Sequence, residues 1–82
     1  MTKNMYKIQD FIWRTLRNYS PMYASLGLVT GIVVSDLKEC KCSVTVIDDT
    51  HSDYRTIEVD GHLYRIVRGK DKFSTYDVHI IN

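Results

Sequence analysis

The sequence predicts an α+β domain, mainly β, in which an N-terminal amphipathic helix packs on a bent five-stranded antiparallel meander that forms a small open barrel. Three observations predict it. Apolar residues near the N-terminus recur at helical spacing, short β-rich runs follow Pro21, and Asp60-Gly61 joins two of those runs. At 82 residues the chain makes one domain, residues 1–82, with a thin core, since a chain this size buries only roughly 60–65% of its unfolded surface.

The helix is expected over residues 3–18. Met5, Ile8, Ile12, Leu16 and Tyr19 are spaced by three and four, with Phe11 widening the stripe, so they share one face. Lys3, Lys7, Asp10, Arg14 and Arg17 form the opposite, largely basic face. Thr2 suits the N-cap. Asn18 and the Ser20-Pro21 pair supply the stop, because proline cannot donate into a continuing helix. Trp13 lies between the two faces.

Residues 25–35 are rich in β-branched side chains and read as a strand bent at Gly27 and Gly31. Asp36, Leu37 and Lys38 read as a turn. Residues 40–47 alternate, with Cys40, Cys42, Val44 and Val46 on one side, the pattern of a half-buried strand. Residues 48–53 are a polar loop, and 54–59 another strand. Asp60-Gly61 favours a two-residue type I′ hairpin, whose partner strand is 62–68. Gly69, Lys70 and Asp71 turn the chain into a last strand, 73–81. The hairpin pairs Val59 with His62, Ile57 with Tyr64 and Arg55 with Ile66. Residues 57, 59, 64 and 66 make the better core face, which leaves Tyr54, Arg65 and Val67 toward solvent.

Charge is segregated although the formal net is only +1. Lys3, Lys7, Arg14 and Arg17 against Asp10 leave residues 1–20 at +3; residues 34–60, with three cations and seven acids, are at −4; residues 61–82 are at +2. Segregated charge creates local fields even when the total is small. Tyr54, Tyr64, Arg65, Arg68, Lys70, Lys72, Phe73 and Tyr76 interleave cations with flat rings. Cations meet phosphates and rings stack on bases, so these residues, extended by Lys3, Lys7, Arg14 and Arg17, are the candidate nucleic-acid-binding set. RNA or single strands are favoured over duplex DNA. The alternative is a twisted sheet with packed tyrosines and solvated arginines.

A second function class fits the small size and the absence of catalytic motifs: a protein-binding modulator or inhibitor of a larger enzyme, of the kind phages encode. A third is a metal-free nuclease using His51, His62 or His79, but no spacing forces two histidines together. The chain is expected to be non-enzymatic and to need no cofactor. Cys40 and Cys42 lack a second matched pair, so they read as core residues of a reduced, cytoplasmic protein, not zinc ligands. Asp48, Asp49, His51 and Asp53 lack the spacing of a calcium loop. A secretory leader and a membrane span are not expected, since no apolar run reaches about 18 residues. An edge strand could pair two copies.

One helix ahead of five meandering strands is similar in outline to Sm-like and other SH3-like barrels. Ile66-Val67-Arg68-Gly69 resembles the Ile-Arg-Gly signature of Sm proteins, with an additional valine and with Cys40 near where those proteins place an asparagine for bases. The resemblance is one of fold, which does not by itself imply function.

Overall fold

In a computed structural model, which describes residues 2–81 and side chains from Asn4 to Ile81, two helices precede four strands. They are α1 (Thr2–Leu16), α2 (Leu26–Glu39), β1 (Val44–Asp48), β2 (Tyr54–Val59), β3 (His62–Val67) and β4 (Asp77–Ile81). The strands form one antiparallel sheet in the order β1-β2-β3-β4. α1 lies along β4, and α2 lies over β1 and β2. Both helices cover the same sheet face, and among the described residues no helix covers the other.

α1 forms where the spacing predicts. Met5, Ile12 and Leu16 are buried, and Ile8, Phe11 and Tyr19 pack against the same core. The Asn18 side chain donates to the carbonyls of Arg14 and Thr15 at 3.4 and 3.3 Å, which satisfies groups that a helix C-terminus leaves open. The side chain of Thr2, the expected N-cap, lies outside the described residues.

The largest departure from expectation is α2. Residues 25–35 do not form a strand, and Asp36, Leu37 and Lys38 do not form a turn; all but Ser25 are helical. The sheet therefore has four strands, and β1 and β4 remain its two edges. β-Branched residues favour strands only weakly, and tertiary packing overrides such preferences. Here Leu26, Val29, Thr30, Val33 and Leu37 share a face and are all buried. Ser25 caps the helix, accepting from the Leu28 N–H at 3.2 Å. The helix ends with Lys41 in the left-handed region at φ 64. The Lys41 and Cys42 N–H groups return to the carbonyls of Lys38 and Leu37, a Schellman-type ending. Cys40 is thus an exposed C-cap instead of an inward strand residue, while Cys42 is half-buried against the core.

The central hairpin has the expected register. Val59 pairs with His62, Ile57 with Tyr64 and Arg55 with Ile66. Asp60 and Gly61 have φ of 50 and 88, the positive pair a type I′ turn requires. Ile57, Val59, Tyr64 and Ile66 are fully buried under the helices. The last strand starts at Asp77, not at 73, because residues 68–76 form an ordered connection.

Candidate nucleic-acid interface

The connection from α1 to α2, residues 17–25, and the connection from β3 to β4, residues 68–76, lie at the same end of the sheet and are hydrogen-bonded to each other. The Met22 N–H donates to the Lys72 carbonyl at 3.0 Å, and the Tyr76 N–H donates to the Tyr19 carbonyl at 3.2 Å. The Tyr76 hydroxyl donates to the Ala24 carbonyl at 2.7 Å. Segments about fifty residues apart in sequence are thereby joined. The end of α1 with its connection, residues 13–25, and residues 68–76 together carry Arg14, Arg17, Arg68, Lys70 and Lys72 against Asp71. Asp77 follows directly, and the Arg68 N–H donates to the Asp53 carbonyl at 2.9 Å, which brings the acidic 48–53 loop to the same end.

Asp71 is consumed in shaping its own loop. Its Oδ1 accepts from the Phe73 N–H at 2.9 Å and from the Ser74 N–H and hydroxyl at 3.0 and 3.1 Å. These bonds, the Phe73 N–H first, hold its pKa below the ordinary carboxylate value. Gly69 permits the tight return, since a Cβ there would lie 2.5 Å from the Ser74 Cβ. The loop held by these bonds displays Lys70, Lys72 and Phe73. The Lys72 ammonium is 5.3 Å from the Phe73 ring centroid, and the Arg17 guanidinium is 4.5 Å from that of Trp13. Phe73 is 66% exposed, Tyr23 is 80% exposed, and Met22 is also exposed. Cations next to uncovered flat apolar groups can meet phosphates and stacked bases.

Of the expected cations, Arg17, Arg68, Lys70 and Lys72 gather at this end. Arg14 stands one helical turn before Asn18 but is paired with Asp10 at 2.9 Å, and Lys7 lies further toward the N-terminus of α1. The side chain of Lys3 lies outside the described residues. Tyr64 and Tyr76 are corrected as stacking candidates: they are 0% and 1% exposed, and their hydroxyls are spent on the carbonyls of Met5 and Ala24. Burial pushes the Tyr64 phenol up to about 12, with the nearby charges of Asp60 and Cys42 adding to it. Burial also raises the Tyr76 phenol, against a smaller opposing effect of Arg68. Trp13, Met22 and Tyr23 extend the patch beyond the expected set. Trp13 and Arg17 stand four apart on a helix, a spacing that could have signalled their contact; Met22 and Tyr23 carry no periodic signal.

Tyr54 and Arg65 belong to a second patch, on the uncovered sheet face. The Arg65 guanidinium lies 4.1 Å from the Tyr54 ring centroid. The His51 ring stacks on Tyr54 at 3.9 Å between centroids, and register places His79 opposite Arg65. Asp48, whose pKa is lowered first by its bonds from Thr50 and further by His51 and Arg65, borders it. His62 sits beside the Asp60-Gly61 turn, at the far end of the sheet from His51. Among the described residues no group of three or more His, Cys, Asp or Glu is placed to hold a metal ion, and no helix is long and apolar enough to cross a membrane.

The fold and site define a two-layer α+β domain with an open sheet, at one end of which the cation- and ring-bearing connections stand beside the acidic 48–53 loop. Comparison with protein-family models, with curated proteins and with solved structures found no match to this chain.

Proposed function

We propose that the protein is a non-enzymatic binder of single-stranded nucleic acid, RNA above all, that contacts its ligand through the end built from residues 17–25 and 68–76. One observation carries the reading: the hydrogen-bonded junction of Met22 with Lys72 and Tyr19 with Tyr76 pools the cations of two distant segments beside exposed Phe73, Tyr23 and Trp13. Arg17, Arg68, Lys70 and Lys72 contact phosphates. Phe73, with Trp13 and Tyr23, offers faces for bases. The open sheet face with Tyr54 and Arg65 extends the track. The test is binding of a labelled single-stranded RNA across a salt series. Affinity must fall steeply with salt; affinity indifferent to salt, or no binding at low salt, refutes the reading.

A second reading, a modulator that docks on an acidic patch of another protein, is favoured by the exposure of Met22 and Tyr23. Recovery of a protein partner from lysate that survives nuclease treatment distinguishes it.

A further inference from the structure

We infer that a groove between α2 and the β1–β2 edge, remote in chemistry from the basic end and independent of its function, is a binding site for a monocarboxylate carried on a short apolar stem. The groove encloses about 300 Å³, between Gly27, Gly31 and Val34 of α2 and Val46, Asp49 and Arg55 on the sheet side.

Arg55 is the unusual element. It shares a strand face with Ile57 and Val59, both fully buried, and it pairs with buried Ile66. Arg55 itself is half-buried at the margin of that face, so its guanidinium reaches the groove and remains accessible to an incoming anion. Among the described residues no carboxylate lies within ion-pair distance of Arg55. Its Nη1 donates to the backbone carbonyls of His51 and Tyr54. Its Nη2 has no hydrogen-bond partner among the described residues and faces Gly27, at 4.0 Å from where a Cβ would stand. The free edge of the guanidinium is therefore turned toward the space under the helix, and a guanidinium edge is suited to a carboxylate.

The helix wall is bare where this space opens. Gly27 and Gly31 are one turn apart and face the groove. Glycine disfavours a helix, and at Gly31 a Cβ would meet nothing within 4 Å, so helix packing does not demand the missing side chain. Its absence leaves room beside Val34 and exposed Val46, an apolar strip leading from the guanidinium. Asp49 at the rim repels any anion, a dianion such as phosphate about twice as strongly as a singly charged acid. One guanidinium edge, one apolar strip and one repelling carboxylate together specify a singly charged acid with a few methylene groups, either free or as the C-terminus of an apolar peptide.

The test is a titration of the full chain, labelled with nitrogen-15, with sodium hexanoate, followed by amide shifts. Saturable shifts at Gly27, Gly31 and Val46, with a dissociation constant on the order of 1 mM, are expected. Acetate and inorganic phosphate should bind roughly tenfold more weakly or not at all. An acetylated Ala-Val dipeptide with a free carboxylate, compared with its amide, shows whether a chain terminus is accepted as well. Arg55→Gln should abolish the shifts. Gly31→Leu should do the same by filling the groove, and carries the test if Arg55→Gln fails to fold. Hexanoate shifts unchanged in folded Gly31→Leu, phosphate binding as tight as hexanoate, or no saturable shift at these amides would overturn the assignment. The groove lies at the same end of the sheet as the 68–76 connection, since the Arg68 N–H donates to the Asp53 carbonyl, but RNA binding is read separately from its salt dependence, so none of these outcomes decides it.

Discussion

The hydroxyl of Tyr76 and the carbonyl of Ala24 stand 2.7 Å apart, a buried hydrogen bond that fastens the β3–β4 connection to the entrance of α2. The bond couples stability to the candidate interface, because the same connection holds Lys70, Lys72 and Phe73. Tyr76→Phe keeps the ring and removes only the donor, leaving a buried carbonyl unsatisfied. A loss of about 1–3 kcal/mol is expected, read from a urea midpoint, and RNA affinity should fall with it as the junction loosens.

Gly69→Ala probes the loop directly. The added methyl would lie 2.5 Å from the Ser74 Cβ and 3.2 Å from the Thr75 carbonyl oxygen, so the turn around Asp71 must open. Overpacking of this kind costs about 1–3 kcal/mol. Amide shifts of the variant should change most at residues 69–76, and a shift pattern spread evenly over the sheet would contradict this account of the glycine.

The hairpin was the most legible part of the fold in the sequence. Asp60-Gly61 admits one common turn, and a two-residue turn determines every pairing after it, so residues 57, 59, 64 and 66 were readable as core. α2 was not legible as a helix, because Val29, Ile32, Val33 and Val34 look like a strand when counted by type. The helical signal was present in the spacing of Leu26, Val29, Thr30, Val33 and Leu37 and in the cap at Ser25, but short apolar runs suit both periods. The same limit applies at the site. Residue type suggested Tyr64 and Tyr76 as stacking rings, whereas their position under the helices buries them. The joining of residues 17–25 to 68–76 depends on contacts between distant segments, which no local pattern encodes.

Ser25→Ala measures what the missed helix signal contributes. Loss of the acceptor for the Leu28 N–H should cost about 0.5–2 kcal/mol. Gly31→Ala should move stability the other way by about 0.5–1 kcal/mol, since the methyl meets nothing and alanine favours a helix. Chemical denaturation of the two variants with the parent chain checks both signs.

The buried phenol of Tyr64 makes the fold sensitive to alkali. Folding raises its pKa from an ordinary 10.0 to about 12. Above pH 10 the unfolded chain releases this proton while the folded chain still holds it, so rising pH favours unfolding. The contribution is complete below pH 10 and is lost as pH rises toward 12, roughly 2–3 kcal/mol in all. Tyr76, also raised, acts in the same direction. Tyr64→Phe should therefore flatten the alkaline fall in melting temperature, with a residual slope from Tyr76. A parent and a variant with superimposable alkaline profiles would contradict this.

The two cation-bearing patches make separable predictions for RNA. If the basic end carries the contact, replacing Arg68, Lys70 and Lys72 together by Ala should weaken binding to every sequence alike. It should also reduce the slope of log affinity against log salt by about 2, since each single-strand phosphate contributes roughly 0.7. Phe73→Ala should weaken binding by about 1–3 kcal/mol if a base stacks there, with the salt slope unchanged, because a ring releases no counterions. Tyr54→Ala asks the same of the open sheet face. There the ring already packs between His51 and Arg65, so a base must displace one of them to reach it, and the loss should be smaller than at Phe73. Equal losses at the two rings would mean that the strand runs across both patches. A loss at Tyr54 alone would move the interface to the sheet and leave the basic end as a source of field, not of contact.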